Sequence, residues 1–197
     1  MKRLFAFVLT IMTAAVLAAC SMPAASETTR SNSLSSAFTA NAHITLGKLT
    51  AEGEIQRFGD GMWAIEFSSP NTLSGVKLSF SEGETTASYK GLEFSVPQSA
   101  LPVRAMTLNL IAAVDSNARL EELRGEENGD ALDIRGTLDG GDYVLSVDKE
   151  GHLCGFSMPN NELTMTFTEL TVTDSSFRSG EEAPEAAPGS TDVSGTE

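Results

Sequence analysis

Two histidines, two cysteines and an excess of carboxylates are the side chains with which this 197-residue chain could do chemistry. His43 and His152 could start a metal site or an acid–base pair, but His43 lies on the polar side of an alternating segment and His152 in a turn. Solvated surface accounts for both. Glu121-Glu122, Glu126-Glu127 and the Asp139 to Asp142 stretch lack the alternating acidic spacing and closing glutamate of a calcium loop. They read as solvated turns. No Gly-x-Ser-x-Gly stands at a strand-to-helix elbow to activate a serine. Gly140-Gly141 is not followed by the Lys-Ser or Lys-Thr of a phosphate-binding loop. The chain is therefore read as a non-enzyme, with no metal and no cofactor.

Cys20 is different, because everything before it is arranged around it. Lys2 and Arg3 are followed by an apolar run, Leu4 to Ala19, without a charged side chain, and then by Leu17-Ala18-Ala19-Cys20. A cationic start, a short apolar stretch and small residues at the end are the parts of a secretory signal. The run falls short of the roughly 20 apolar residues that a membrane-crossing helix needs. The tetrapeptide matches the bacterial lipobox, whose small residues let a peptidase hold the backbone extended while the thiol accepts a diacylglycerol. Residues 1–19 are expected to be a lipoprotein signal peptide and Cys20 the lipidated (palmitate-type) residue. The match implies at least two acyl chains, and at about 0.8 kcal/mol per buried methylene two chains anchor stably. The expected location is the extracytoplasmic face of the cell membrane, and the expected partner is the membrane itself, through Cys20. Cys154 is then alone. Within the apolar stretch Leu153 to Met158 it reads as a small buried hydrophobe and not as a reactive thiol.

Both ends of the chain look unable to fold. Ser21 to Ser36 is dominated by Ser, Thr and Ala, so residues 20–36 are expected to be a flexible tether. Residues 174–197 carry Glu181, Glu182, Glu185, Asp192 and Glu197 among Pro, Ala, Gly and Ser, and are expected to form a disordered acidic tail. That leaves 37–173 as one domain. The chain has 13 basic and 27 acidic side chains; losing Lys2 and Arg3 with the signal leaves 11 against 27, or −16. So acidic a surface excludes nucleic acid as a partner and disfavours adhesion to anionic head groups.

Period-two alternation runs through most of the domain. Phe38, Ala40, Ala42, Ile44 and Leu46 face one way, then Leu49, Ala51, Gly53 and Ile55, and after a Gly59-Asp60-Gly61 turn Trp63, Ile65 and Phe67. Similar runs follow through Val76 to Phe80, Thr85 to Tyr89 and Leu92 to Val96. From Pro102 to Arg124 the period becomes helical: Val103, Met106, Leu110, Ala113, Val114, Leu120 and Leu123, with Pro102 suited to a first turn and Gly125 to a stop. Leu108 and Ile111 widen that face, which calls for burial on more than one side. Strands resume at Leu132 to Leu138, Tyr143 to Val147, Cys154 to Met158 and Leu163 to Phe167. Leu170 and Val172 are out of phase, which predicts a bulge. The count is about ten strands and one helix.

An antiparallel sheet that wide has to curl, and the helix is the element free to cover its apolar face. The fold class is mainly β with one long helix (α+β), a curled antiparallel half-barrel with a helical lid. This arrangement resembles the lipoprotein-carrier superfamily of the LolA and LolB type. The residues bearing the resemblance are the opening strand pair Phe38 to Ile55, the segment Gly59-Asp60-Gly61-Met62-Trp63-Ala64-Ile65-Glu66-Phe67, the pair Ser69-Pro70, and a helix placed after six strands. The resemblance covers 37–173 and implies an open barrel whose concave face binds acyl chains. The expected lining is Trp63, Phe67, Leu78, Phe80 and Phe94 from the first strands, Met106 and Leu110 from the helix, and Phe156, Met165 and Phe167 from the last strands. The same residues would also serve as a plain core, with the protein then acting as a structural or interaction module of the envelope. Replacing the expected anchor, Cys20→Ser, should abolish metabolic labelling by palmitate and release the chain from the membrane fraction. A chain that stays membrane-bound without Cys20 would refute the anchor.

Overall fold

The computed structural model describes residues 27–81, 83–95 and 102–173. The signal segment, Cys20, Val96 and the acidic tail lie outside the described residues. Seven strands come first: β1 (Glu27–Ser31), β2 (Ala37–Leu46), β3 (Leu49–Gly59), β4 (Met62–Ser69), β5 (Val76–Ser81), β6 (Glu84–Tyr89) and β7 (Leu92–Ser95). The helix α1 (Pro102–Ala118) follows. Five more strands complete the described chain: β8 (Glu122–Asn128), β9 (Ala131–Leu138), β10 (Gly141–Val147), β11 (Leu153–Met158) and β12 (Leu163–Thr173). A single 3₁₀ turn, Pro159–Asn161, joins the last two.

All twelve strands form one antiparallel sheet in the order β1-β8-β9-β10-β11-β12-β2-β3-β4-β5-β6-β7. Among the described residues β1 and β7 are its two open edges. β2 to β7 meander outward to one edge, and β8 to β12 begin beside β1 and meander back until β12 pairs with β2. The chain therefore passes between non-adjacent strands twice, through residues 32–36 from β1 to β2 and again from β7 to β8. α1 lies in the second of these connections, over the inner face, packed on β9 and β10.

Alternation decides which face is inner. Phe38, Ala40, Ala42 and Ile44 are buried on β2, Ala51 and Ile55 on β3, and Trp63, Ile65 and Phe67 on β4. Their partners in the ladder point to the same side, so the inner face is mostly apolar from β2 to β5, with Arg57 the charged exception. The hairpin between β3 and β4 turns at Asp60-Gly61, where φ is +69° at Gly61, a conformation that costs glycine little. The expected bulge in β12 is present, with the register against β2 shifting between Thr168 and Thr171.

Three expectations are corrected. First, the segment read as tether, 20–36, contains β1, which pairs with β8 from Glu27↔Glu126 to Ser31↔Glu122, and Leu34, which is 1% exposed. Residues 27–36 are part of the fold. β1 (Glu-Thr-Thr-Arg-Ser) has no apolar side chain to alternate; backbone pairing holds it, together with Arg30 Nη1 donating to the Asp130 and Val147 carbonyls. Second, the helix stops at Ala118 and not at Arg124. Leu120 is 52% exposed, and Leu123 is buried as a residue of β8. Asn32 caps this end: its Nδ2 donates to the carbonyls of Asn117 at 2.9 Å and Leu120 at 2.6 Å, and the Leu120 N–H turns back onto the Asn117 carbonyl. Third, Leu49 was expected to face in, yet it is 38% exposed beside the β2–β3 turn. β1 and β8 are the two strands that the sequence reading lacks.

If residues 27–36 belong to the fold, Leu34→Ala should lower stability by about 2–5 kcal/mol, as for other large-to-small core changes. A urea midpoint equal to the parent's would return the segment to tether.

Candidate functional site

The residues expected to line a ligand space under the helix are, with one exception, core. Trp63, Phe67, Leu78, Phe80, Met106, Leu110, Phe156, Met165 and Phe167 are 0–6% exposed and belong to one continuous cluster with Val114, Leu145 and Met158. The exception is Phe94, half exposed on the short edge strand β7, with Leu92 (62% exposed) on the same strand and Tyr89 beside Leu92 on β6. The face under α1 is packed, and apolar surface is left open at the β7 edge.

A polar pin runs through that packing. Arg57 falls on the inward side of β3 and is 3% exposed; Asp115 on α1 is 6% exposed. Asp115 Oδ1 accepts from Arg57 Nε at 3.2 Å and Nη2 at 3.0 Å, while Oδ2 accepts from the Gly61 N–H at 2.8 Å and Trp63 Nε1 at 3.4 Å. The remaining Arg57 nitrogen donates to the Ser35 and Ser36 carbonyls. Its guanidinium also lies 5.7 Å from the centre of the Trp63 ring, and Phe38 packs edge-on against that ring. Asn117, buried and next to last in the helix, donates to Tyr143 Oη at 3.1 Å. Every member of this network has its partners, so its chemistry is structural.

Besides a space of about 560 Å³ at the end of α1, bordered by Asn117, Leu120 and Ile134, two grooves lie on the outer face. One groove of about 770 Å³ is polar, lined by Asn41, His43, Glu52, Glu54, Glu66 and Ser68. His43 Nδ1 sits 3.3 Å from Glu52 Oε1 there, both exposed, as its place on the polar side of the strand implies. A second groove, of about 870 Å³, crosses β2 to β5 near the β3–β4 hairpin. Its floor is a ladder of modest side chains, Thr39↔Gln56↔Ala64↔Ser79. Phe58 and Met62, 47% and 46% exposed, wall it on the hairpin side. Lys77 lines its other side. Ala64 is only 4% exposed although it faces outward, because its longer neighbours stand over it. Trp63 and Phe80, two of the expected lining residues, also border this groove. Phe58, Met62 and Lys77 were not singled out from sequence. Arg57 carried a usable signal, since a charge at an inward strand position requires a partner.

Among the described residues one group, Asp148, Glu150 and His152, holds ligand atoms within 4.8 Å of one another. Asp148 Oδ1 already accepts the Glu150 and His152 N–H groups, and Oδ2 lies 3.3 Å from His152 Nδ1. The carboxylate closes the β10–β11 turn. Cys154, expected to be buried, is half-buried next to the register shift between β10 and β11. Burial, with Asp148 and Asp133 nearby, pushes its thiol up to about 11, so it is protonated and a poor nucleophile at neutral pH.

No protein-family model matches the chain, and no curated protein matches it. Among solved structures it is similar to an uncharacterised conserved protein from Thermus thermophilus (13% identity, TM-score 0.44, 72% of this chain and 81% of that one). It is also similar to a DUF1329 family protein from Desulfovibrio piger (17%, 0.39, 70% and 86%). A third is a LolA superfamily protein from Nitrosomonas europaea (10%, 0.34, 71% and 87%).

Asp115→Ala strands a buried guanidinium and should cost about 3–5 kcal/mol, whereas Arg57→Met with Asp115→Leu should cost clearly less than the two single changes together. Urea unfolding followed by the fluorescence of Trp63, the one tryptophan, measures both. Additive single and double values would mean the pair does not act as a unit.

Proposed function

We propose that this chain is a membrane-anchored, extracytoplasmic lipoprotein, held by lipid on Cys20, that binds a hydrophobic ligand without catalysing a reaction. The observation that carries the reading is the outer-face groove of about 870 Å³, where Phe58 and Met62 leave about half of their surface in water. Exposed apolar walls beside a concave floor are what a ligand with an alkyl chain covers, at about 25 cal/mol for each Å² removed from water. The ligand space expected under the helix moves to the opposite face, because the inner face is occupied by its own side chains. Cys20 supports the location through the residues that precede it.

A second reading has its own observation. Leu92 and Phe94 are exposed on the open edge strand β7, and a free edge with apolar side chains suits pairing with a strand of an envelope protein. The chain would then be an interaction module with a filled core.

Titration of the full chain carrying Cys20→Ser with a fluorescent fatty-acid probe separates the two. Under the ligand reading the probe binds, and Met62→Asp weakens it about tenfold, corresponding to roughly 1.4 kcal/mol, without moving the unfolding midpoint. Absence of probe binding, together with no lipid co-purifying in native mass spectrometry, would leave the interaction module.

A further inference from the structure

The groove differs from the rest of the surface in charge. The chain has 27 acidic side chains, and among the described residues none of them lines it. The neighbouring groove on the same face, in contrast, holds Glu52, Glu54 and Glu66. Two cations border the apolar groove, Arg57 and Lys77. Arg57 is buried and neutralised by Asp115. Lys77 is not: its cross-strand neighbour is Glu66, yet Glu66 lines the other groove, and no carboxylate of the described residues comes within 4.0 Å of the Lys77 ammonium. The groove that Phe58 and Met62 wall therefore also holds an ammonium that no carboxylate of the described residues engages in an ion pair.

Resting on the ligand reading above, we propose that the groove takes an amphiphile with a single alkyl chain and an anionic head, the chain lying against Phe58 and Met62 and the head meeting Lys77. The argument is one of complementarity over a few ångströms. An apolar wall alone accepts any alkyl chain, because burial of apolar surface is non-directional. An ammonium that is held in no ion pair adds attraction for an anion and repulsion for a cation, reduced but not reversed by Glu66 on the neighbouring strand. Glu66 apart, the acidic side chains more than about 10 Å away do not cancel this, since they are largely screened at ordinary ionic strength. Thr39, Gln56 and Ser79 on the floor offer hydroxyl and amide groups that can hydrogen-bond a carboxylate or phosphate oxygen. The polar requirement on the head is its negative charge, so carboxylate and phosphate heads both fit.

Three probes of equal chain length test this on the full chain carrying Cys20→Ser: decanoate, decanol and decyltrimethylammonium, by isothermal titration below their micelle concentrations. Decanoate should bind best and the cationic probe worst. Lys77→Gln should weaken decanoate about fivefold, the size of a partly exposed ion pair, and leave decanol as it was. Raising the salt should erode the advantage of decanoate over decanol. Decyl phosphate in place of decanoate should behave in the same way. Equal binding of all three probes, or a Lys77→Gln variant that holds decanoate like the parent, overturns the anionic head while the hydrophobic groove stands. Failure of every probe removes the groove reading itself. A dimer in solution that Met62→Asp dissociates would put a second copy of the chain in the groove and overturn the proposal.

Discussion

One carboxylate, that of Asp115, ties together three parts of the chain that lie far apart in sequence. A charge removed from water must be matched by donors, and Asp115 finds four, from Arg57, Gly61 and Trp63. Through Arg57 the same contact reaches the carbonyls of Ser35 and Ser36. The helix, the β3–β4 hairpin and the link from β1 to β2 thus meet at a single ion pair. Such a pair contributes little net stability, since desolvation offsets much of the attraction. What it contributes is position. Apolar contacts between α1 and the inner face would tolerate sliding, whereas the guanidinium and carboxylate meet in only one register.

That fixed helix determines where a ligand could go. With α1 packed on β9 and β10 and its buried side chains continuous with those of β2 to β5, the inner face is a core. The two larger grooves are on the outer face, where rows of side chains from neighbouring strands lie side by side. A row of modest residues between taller ones makes a trough without any insertion or loop, and Ala64 at its floor is shielded by its neighbours. The groove is a product of register: shifting β4 by one residue against β3 would turn Met62 inward and Trp63 outward.

Much of the fold was legible because burial of one face imposes a period of two, and that period is written locally. Phe38 to Ile44, Trp63 to Phe67 and Leu163 to Phe167 announce both their strands and their inward sides. β1 escaped because its five residues include no apolar side chain, so its pairing with β8 is a matter of backbone hydrogen bonds. The helix end escaped because Leu120 and Leu123 keep helical spacing, and because the side chain that caps it, Asn32, lies 85 residues before Asn117. Of the groove, Trp63 and Phe80 were in the expected lining. Phe58, Met62 and Lys77 were not, since as separate strand residues they look like ordinary exposed positions.

By itself the sequence determined the class of fold, the inward residues of most strands, a helix after the first long run of strands, and the short apolar segment before Cys20 on which the proposed anchor rests. These follow from local patterns, in which each residue is read against neighbours a few positions away. Only the tertiary structure decided that Arg57 meets Asp115, that residues 27–36 belong to the fold, and that the open apolar groove lies on the face away from the helix. Those outcomes depend on which strands lie side by side and in what register. That is settled when the sheet curls, the helix crosses it and the buried charge finds its donors.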